Sequence, residues 1–373
     1  MAANPFKPTF GSPPPLLVGR DVLIEDFGAA LDEGPGSPGR ALIITGARGV
    51  GKTVALTALE GIARQRGWDV VSETATPGIV DRIASEHLPV ILSRRSPRRR
   101  HRITGISGPA AIGGVTWSSE DRHPSHPGLR SMIEDVSEAL SKTGTGLLFT
   151  VDELGGGGTD ELRLLGSEIQ HAFRRSAEVA FAGAGLPRSV STVLSDRVLT
   201  FLRRAERHHL GPVSLRDVAS ALREPIHACG RRIGDEALDK AAAATFGFPF
   251  LIQLVGRWSW AHHPDEIEIT VADVEAGVMA AKRRMGSLVH EPSLVDLSPV
   301  DRTFLLAMSE DDGPSRMTDI AARLDVDANY ASQYRLRLLA AEMITASAYG
   351  RVNFVAPYLR EYLREHAASG LSY

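Results

Sequence analysis

The feature that most constrains the fold is a glycine-rich octapeptide, Gly46 to Thr53, which reads Gly-Ala-Arg-Gly-Val-Gly-Lys-Thr. It follows an apolar run, Ala41 to Ile44, and leads into a segment of helical composition that starts at Val54. Strand, glycine turn and helix in this order are the setting of a phosphate-binding P-loop. Glycines let backbone N–H groups approach phosphate oxygens, and the helix N-terminus adds a partial positive charge. The alternative is an ordinary glycine turn.

The side chains of the octapeptide carry specific expectations. Lys52 is predicted to reach the β- and γ-phosphates of a nucleotide, and the Thr53 hydroxyl is predicted to hold Mg²⁺. The predicted phosphate-binding residues are Gly46, Ala47, Arg48, Gly49, Val50, Gly51, Lys52 and Thr53.

A second signature follows about 100 residues later. Gly146 to Val151 is a continuous apolar run, typical of a central parallel strand that is covered on both faces, and it ends in Asp152 and Glu153. In this position Asp152 is expected beside the Mg²⁺, and Glu153 is expected to orient or deprotonate the attacking water. An Asp-Glu pair at a strand end is common by itself, so the prediction depends on the P-loop that precedes it.

Composition limits the classes of function. The chain has 373 residues, enough for two or three domains, and its 43% hydrophobic and 23% charged residues are ordinary for a globular protein. A net charge of −3 argues against a surface coated with nucleic acid, although local basic patches remain compatible with it. A single cysteine, no apolar signal core and no run of membrane-spanning length lead us to expect a soluble, cytoplasmic protein with no membrane contact.

The order of patterns predicts an α/β protein with four parts. An extended tail covers residues 1–15, a nucleotide-binding domain with a parallel sheet covers 16–212, a helical lid covers 213–290, and a winged helix-turn-helix covers 291–373. A basic insertion at about 93–117 interrupts the second part, with six arginines between Ser93 and Arg102. This insertion is expected to be a hairpin or loop that touches an acidic partner or nucleic-acid phosphates, unless it is simply a solvated charge run.

The predicted winged helix has two candidate targets. Its third helix is expected to show polar and basic side chains to solvent while Tyr334 and Leu338 face inward. From Leu288 onward the chain carries eight Lys/Arg against twelve Asp/Glu, an acidic balance that repels phosphate and leaves protein docking as the alternative to duplex DNA. The candidate DNA-contacting residues are Asn329, Ser332, Gln333, Arg335, Arg337 and, at the wing tip, Arg351.

With these pieces assembled, the chain resembles AAA+ P-loop ATPases of the origin-recognition and initiator type, and the similar STAND signalling ATPases. The resemblance implies that Val18 and Gly19 line the base pocket and that Pro249 packs on the nucleotide. It is carried by Val18-Gly19-Arg20, the P-loop, Val151-Asp152-Glu153, Gly247-Phe248-Pro249 and the terminal winged helix.

Two departures from that family pattern affect the expected chemistry. The family usually ends its fourth strand with a polar residue that helps to place the attacking water, whereas Phe181 to Ala184 offers no hydroxyl or amide. Hydrolysis is therefore expected to be slow. A trans-acting arginine finger has three candidates, Arg197, Arg203 and Arg204, in a predicted helix from Ser195 to Arg207.

The resulting prediction is an ATP-binding, Mg²⁺-dependent ATPase with Lys52, Asp152 and Glu153 as catalytic residues and Thr53 and Asp152 as metal ligands. Nucleotide state would be reported to the winged helix, which would act on DNA, with a nucleotide-dependent oligomer as a further expectation. The first alternative is a slow nucleotide switch whose winged helix docks a protein partner. A small-molecule kinase is the second, and both the lid and the winged helix argue against it.

Overall fold

The computed structural model describes residues 3–9, 14–95, 128–157, 159–196 and 199–367. Most of the predicted basic insertion at 93–117 and the candidate finger residue Arg197 therefore lie outside the described residues.

Within the described residues, the first large part contains a parallel five-stranded sheet with the order β2-β3-β4-β1-β5. Its central strands are buried on both faces, as their continuous apolar runs require. The α/β class and the parallel sheet predicted from the sequence are confirmed. The strands are β1 (Ala41–Thr45), β2 (Asp69–Thr74), β3 (Leu147–Asp152), β4 (Val179–Gly185) and β5 (Glu206–His209).

Helices cover both faces of this sheet, because successive strand residues point to opposite sides. Leu42 and Ile44 of β1 join a core that includes Phe27 and Leu59, whereas Ile43 joins a separate core on the other face. A π-helical turn at Ile83–His87 and 3₁₀ turns at Pro38–Arg40 and Thr200–Arg204 complete the part. The helices are α1 (Asp21–Glu33), α2 (Lys52–Gln65), α3 (Ile79–Arg82), α4 (Leu88–Arg95), α5 (Leu129–Ser141), α6 (Thr159–Arg174) and α7 (Pro187–Ser195).

The predicted helix from Ser195 to Arg207 is wrong. Helix α7 already ends at Ser195, and the chain then forms the 3₁₀ turn at Thr200–Arg204 and strand β5, which pairs in parallel with β1. Pro187 at the first turn starts α7 early, because its fixed φ suits that position. Strand β5 lies at the sheet edge, where its polar side chains alternate between half-buried and exposed, so pairing with β1 outweighs helical propensity.

The next part is a helical lid. Ser214 caps its first helix by accepting from the Asp217 amide at 3.1 Å, as the sequence predicted. A short parallel pair, β6 (Arg232–Ile233) with β7 (Glu268–Ile269), was not predicted, since two residues are too few to show a strand period. The lid helices are α8 (Leu215–Ala228), α9 (Asp235–Ala244), α10 (Pro249–His262) and α11 (Val271–Met285).

The N-terminal segment has no helix or strand over residues 3–9, yet it is docked on the lid. Phe6 is completely buried against α10, where a Cβ on Gly256 would lie 2.6 Å from its ring. The Asn4 amide donates to the Arg257 carbonyl at 3.0 Å, and the Lys7 backbone N–H donates to Gln253 Oε1 at 3.2 Å. The segment expected to be a tail therefore packs on the folded lid.

A π-helical turn at Gly286–His290 and α12 (Glu291–Val295) connect the lid to residues 297–367, which we call the C-terminal unit. Its three strands pair antiparallel in the order β8-β10-β9, and its core includes Phe304 and Leu338. The helices and the β9–β10 pair follow one another in the predicted order, and β8 is an additional strand that was not predicted. The elements are α13 (Pro299–Ser309), β8 (Ser315–Arg316), α14 (Met317–Arg323), α15 (Ala328–Ala340), β9 (Ile344–Ala348), β10 (Arg351–Phe354) and α16 (Leu359–Ala367).

Among the described residues, no helix combines the length and the apolar character needed to cross a bilayer.

Candidate nucleotide-binding site

The octapeptide forms the predicted loop between β1 and α2. Gly46, Gly49 and Gly51 all have positive φ, at 153°, 83° and 90°, so the backbone turns through conformations that side chains oppose. A Cβ on Gly46 would lie 2.5 Å from the Leu210 carbonyl oxygen. The loop then enters α2 at Lys52, which places the first free N–H groups of that helix beside the loop.

Thr53 and Asp152 meet across the sheet edge. β1 and β3 are separated by β4, but all three strands are parallel and their carboxyl ends share one edge. The Thr53 hydroxyl donates to Asp152 Oδ2 at 2.5 Å, and Asp152 Oδ1 accepts from the Glu153 amide at 2.8 Å. A hydroxyl and a carboxylate oxygen are hard ligands of the kind that Mg²⁺ prefers, so these two residues fit the predicted metal.

Lys52 lies inside the loop rather than in open solvent. Its Nζ donates to the carbonyl oxygens of Gly46 at 2.7 Å and Ala47 at 3.0 Å. Burial lowers the pKa of Lys52, while the charge of Glu342 and, less strongly, that of Asp152 raise it. The ammonium is thus held inside the loop by two backbone carbonyls.

Glu153 has an unusual backbone. Its φ is 54°, in the left-handed region that non-glycine residues seldom adopt, and its side chain is exposed. The turn is held by the Gly156 amide, which donates to the Glu153 carbonyl at 2.8 Å. Such strain is common at functional sites.

The lid contacts the P-loop directly. Pro249 begins α10, and a Cβ on Gly51 would lie 3.7 Å from its ring. The Phe250 backbone N–H approaches the Gly49 carbonyl at 3.4 Å. Gly247 has φ 74° and lies so close to Val213 that an added Cβ would be 2.2 Å from its carbonyl oxygen. The Gly-Phe-Pro turn therefore packs on the loop, and Phe250 is a contact that the sequence analysis missed.

The segment Val18-Gly19-Arg20 contacts the P-loop through Arg20. Arg20 Nη2 donates to the carbonyl oxygens of Val50 at 3.2 Å and Gly211 at 2.8 Å, and burial lowers its pKa. The sequence analysis placed Val18 and Gly19 near the base but gave no role to Arg20, whose long side chain joins the P-loop to the link after β5.

These elements surround a cavity of about 910 Å³, within the size range of small-molecule sites. Its wall includes Val18 and Pro249, which the resemblance assigned to the nucleotide, as well as Gln253 and the N-terminal segment at Lys7. The lining combines residues of the P-loop with Asp152 and Glu153 and a set of apolar side chains. The apolar wall includes Leu16, Leu17, Ile252, Leu288 and Val289.

The C-terminal unit and its connection also reach the site. Arg48 of the P-loop donates to Asp296 Oδ2 at 2.7 Å, just before the C-terminal unit begins. Glu342 lies between α15 and β9, close to Lys52. Burial raises the pKa of Glu342, and the positive charge of Lys52 opposes that rise. Its Oε2 is buried, and within the described residues it has no hydrogen-bond partner. The sequence gave no sign of Glu342, because the contact depends on how the two parts pack.

Strand β4 ends without a polar side chain, as the sequence showed. Ala184 and Gly185 finish the strand, and Ser189 on α7, four residues later, is among the residues that line the cavity. Of the candidate finger residues, Arg203 donates to the carbonyls of Leu194, Ser195 and Asp196 at the end of α7. It therefore stabilises its own domain. Arg204 is exposed.

The candidate DNA-contacting residues have mixed surroundings. Asn329, Ser332 and Gln333 are exposed on α15, as expected. Arg337 instead pairs with Asp301 at 2.6 Å, and Arg351 donates to the Pro314 carbonyl at 3.2 Å. Tyr334, expected to face inward, is only half-buried, and its hydroxyl donates to that of Tyr330 at 3.0 Å. Arg335 is half-buried, with its Nε enclosed.

Comparison with known proteins agrees with this geometry. Residues 16–174 match a family described as the AAA ATPase domain, and residues 287–363 match a domain of unknown function. No curated protein matches the sequence.

Two solved structures share the fold over almost the full chain. The Walker-type ATPase Paby2304 of Pyrococcus abyssi is 14% identical, with a TM-score of 0.63, over 93% of this chain and 96% of that one. The ORC2 protein of Aeropyrum pernix, solved as ADPNP–ADP complexes, is 13% identical, with a TM-score of 0.61, over 98% of each chain.

Residues 16–174 therefore match the AAA ATPase domain in sequence and contain a P-loop and an acid pair, as the resemblance predicted. The likeness to the two solved structures covers almost the whole chain, and it shows that the fold is shared.

Proposed function

We propose that the chain binds ATP with Mg²⁺ in the 910 Å³ cavity and hydrolyses it slowly. The carrying observation is the hydrogen bond between Thr53 and Asp152, directly below a P-loop that the lid covers. Lys52 and the loop amides would hold the phosphates, and Thr53 and Asp152 would hold the metal. Bound Mg²⁺ would neutralise phosphate charge. Glu153 would orient or deprotonate the attacking water.

Two substitutions test these roles separately. Lys52→Ala should abolish ATP binding measured by calorimetry, because the phosphates lose their buried cation. Glu153→Gln should keep ATP affinity and lower turnover by about 100-fold or more, since it removes the base but keeps the shape. Lys142→Ala, at an exposed Lys–Glu pair on the surface, is the matched control. Wild-type ATP affinity in Lys52→Ala, or wild-type turnover in Glu153→Gln, would refute the corresponding role.

The nucleotide state would be passed to the C-terminal unit through two contacts. Arg48 joins the P-loop to Asp296, and Glu342 brings a carboxylate towards Lys52. Phosphates entering the loop would repel Glu342 and compete for Lys52, so a bound triphosphate would favour a different position of the C-terminal unit. This supports a switch in which hydrolysis resets the position.

Duplex DNA is the first candidate target of that switch. The support is the order of elements in the C-terminal unit and the exposed polar residues Asn329, Ser332 and Gln333 on α15. DNA binding would rise with ATP and fall steeply with salt. Fluorescence anisotropy with duplex DNA at two salt concentrations, with and without ATP, tests this. Gln333→Ala should weaken binding, and the absence of any salt-dependent binding would reject this target.

A protein partner is the second candidate, and the arginines of the C-terminal unit favour it. Guanidinium groups already bound to carboxylates or carbonyls are less available to phosphates. The exposed face of α15 carries Tyr330 and Leu336, the latter 61% exposed, which suits a protein interface better than a phosphate backbone. The arginines engaged in this way are Arg323, Arg337, Arg351, Arg360 and Arg364.

One variant of α15 tests the protein-partner proposal. Leu336→Glu adds a negative charge to the exposed face of α15 without touching its core. A protein partner should be lost from pull-downs with this variant while ATP turnover stays unchanged. If Leu336→Glu retains every partner of the wild type, the protein-docking proposal is wrong. Particle mass with each nucleotide would test the expected oligomer in the same samples.

A further inference from the structure

A cluster of two histidines and one aspartate lies on the lid, at the turn between α10 and α11. His262 is the last residue of α10, His263 follows it directly, and Asp273 lies in the first turn of α11. Nδ1 of His262 is 2.9 Å and Nδ1 of His263 is 2.6 Å from the same oxygen, Asp273 Oδ1. The three atoms all lie within 4.8 Å of one another, so two imidazoles and one carboxylate converge on a single point.

The carboxylate is fixed and charged. Asp273 is only 1% exposed, and its other oxygen accepts from the Thr270 backbone N–H at 2.8 Å and the Thr270 hydroxyl at 2.7 Å. Burial opposes ionisation, but these bonds and those from the two histidines hold the pKa of Asp273 at about 2. A pre-oriented carboxylate whose second oxygen is hydrogen-bonded is the outer-shell arrangement found around metal ligands.

The histidine side chains remain accessible. They are 41% and 57% exposed, and their rings lie 4.3 Å apart, so an ion can enter from solvent and keep water on its open positions. Both imidazoles now donate their Nδ1–H groups to one carboxylate oxygen, which acts only as an acceptor. A metal ion would bind the two Nδ1 atoms once their protons move to the outward Nε2 atoms.

Distances in the cluster require a small adjustment. Zn²⁺ takes nitrogen and oxygen ligands at roughly 2.0–2.2 Å, which separates tetrahedral ligand atoms by about 3.3 Å. The present separations of 2.6 and 2.9 Å are hydrogen-bond lengths, so each imidazole must move outward by about half an ångström. The exposed rings have room to do so, while Asp273 stays fixed by Thr270.

We propose that His262, His263 and Asp273 form a binding site for a divalent transition-metal ion of the Zn²⁺ type. Two imidazoles and a carboxylate suit Zn²⁺ better than Mg²⁺ or Ca²⁺. Pro249 starts α10 at the nucleotide cavity, and the cluster lies at the other end of this 14-residue helix, about 20 Å away. The site is therefore separate from the predicted Mg²⁺ site and does not depend on the proposed function.

The charge around the cluster limits its affinity. Arg231 donates to the His263 carbonyl at 2.9 Å. Burial lowers the pKa of Arg231, and the negative charges of Asp273 and Glu266 oppose this lowering. Asp273 thus already faces the positive charge of Arg231. A metal ion that binds there would share the negative charge of Asp273 with Arg231. The consequence of binding would be mechanical, since one ion would join the end of α10 to the start of α11 and stabilise the lid.

The test is a calorimetric Zn²⁺ titration of the full chain. Bound metal is first removed with EDTA, and the titration is then carried out with excess Mg²⁺ and without nucleotide. We expect one Zn²⁺ per chain and a higher unfolding temperature with Zn²⁺ than without. His262→Ala/His263→Ala should abolish both effects, and Thr270→Val should weaken binding about tenfold or more. His227→Ala, an exposed histidine on α8, should change neither.

A second measurement protects the test if the double variant fails to fold. Co²⁺ added to the wild-type chain should give visible ligand-field absorption that Zn²⁺ displaces. No saturable Zn²⁺ binding, no Co²⁺ absorption, or equal loss of binding in His227→Ala would overturn the proposal. The cluster would then be a hydrogen-bonded clamp only.

Discussion

Single side chains decide how the nucleotide cavity is held together, and Arg20 is the clearest case. Its guanidinium donates to the carbonyls of Val50 and Gly211, so one residue before α1 fixes the P-loop against the link after β5. Hydrogen bonds from a charged group to carbonyls stabilise more than neutral ones do, and partly buried carbonyls left without donors are costly. The position of the loop therefore depends on a residue that lies 30 positions before Val50.

Arg20→Ala should lower the free energy of unfolding by about 2 kcal/mol and weaken ATP binding. Thermal unfolding and calorimetry measure the two effects. Arg175→Ala removes an exposed ion pair with Glu134 and should cost less than about 1 kcal/mol. Equal effects of the two substitutions would show that Arg20 has no special role.

Ser189 is the second case at this scale. It lines the cavity and lies close to Gly155 in the loop after Glu153, whereas the end of β4 has no polar side chain. Ser189→Ala should lower ATP turnover by about tenfold and leave ATP affinity unchanged, because a group that only orients water acts on the chemical step. Ser195→Ala, on the exposed end of α7, is the control. Unchanged turnover would remove Ser189 from the site.

At the scale of whole elements, the N-terminal segment shows how a substitution can act through local opening. Phe6→Ala empties a fully buried site, yet a chain end can detach alone, so the loss should appear as local opening. We expect faster hydrogen exchange at the Lys7 amide, which donates to Gln253, and weaker ATP binding because one cavity wall loosens. Lys7→Ala changes an exposed side chain and should leave exchange unaltered. Normal exchange in Phe6→Ala would contradict the docking.

The π-helical turn between the lid and the C-terminal unit contains a pH-sensitive residue. His290 is 1% exposed, and burial lowers its pKa from 6.5 to about 4, although a backbone hydrogen bond involving Pro357 opposes this. The unfolded chain therefore binds the proton more readily, and stability is lost as pH falls from about 6.5 to 4. The loss should approach about 3 kcal/mol below pH 4.

Urea unfolding between pH 7 and pH 4 measures this loss. The variant His290→Gln keeps a polar side chain of similar size but does not titrate, so its stability should change less over this interval. His366→Gln, on α16, should keep the wild-type slope. A wild-type slope in His290→Gln would assign the pH dependence to another group.

Local sequence patterns predicted the elements that depend on residues close together in the chain. The P-loop, the strand before Asp152 and the Ser214 cap were all predicted, because glycine spacing, apolar runs and capping residues act over a few positions. The helix expected from Ser195 to Arg207 failed because β5 exists only through its pairing with β1. Arg20, Phe250, Ser189 and Glu342 were missed for a related reason: each acts through a contact with residues far away in the chain.

At the scale of the whole molecule, the cavity beside the P-loop is lined by the sheet domain, the lid, the N-terminal segment and the connection to the C-terminal unit. The loop and acid pair come from the sheet, Pro249 from the lid, Lys7 from the N-terminal segment and Asp296 from the connection to the C-terminal unit. Such a shared site couples the positions of these parts to its occupancy, because a ligand shifts the arrangement that binds it better.

Glu342→Gln tests that coupling. The substitution removes a negative charge that faces Lys52 from the C-terminal unit, so ATP affinity should rise about fivefold or more. Calorimetric titration with ATP and Mg²⁺ measures it. Glu361→Gln, on the exposed side of α16, is the control. An affinity equal to that of the wild type would mean that the C-terminal unit does not sense the phosphates.

The anchoring of Phe6 has a practical consequence for anyone who purifies this protein. An affinity tag placed shortly before Phe6 would lie next to a ring that is fully enclosed by the lid. A bulky or charged group there is expected to hold the segment off Gly256 and to loosen one wall of the cavity beside the P-loop. Affinities should therefore be compared between protein tagged at the beginning of the chain and protein from which that tag has been cleaved.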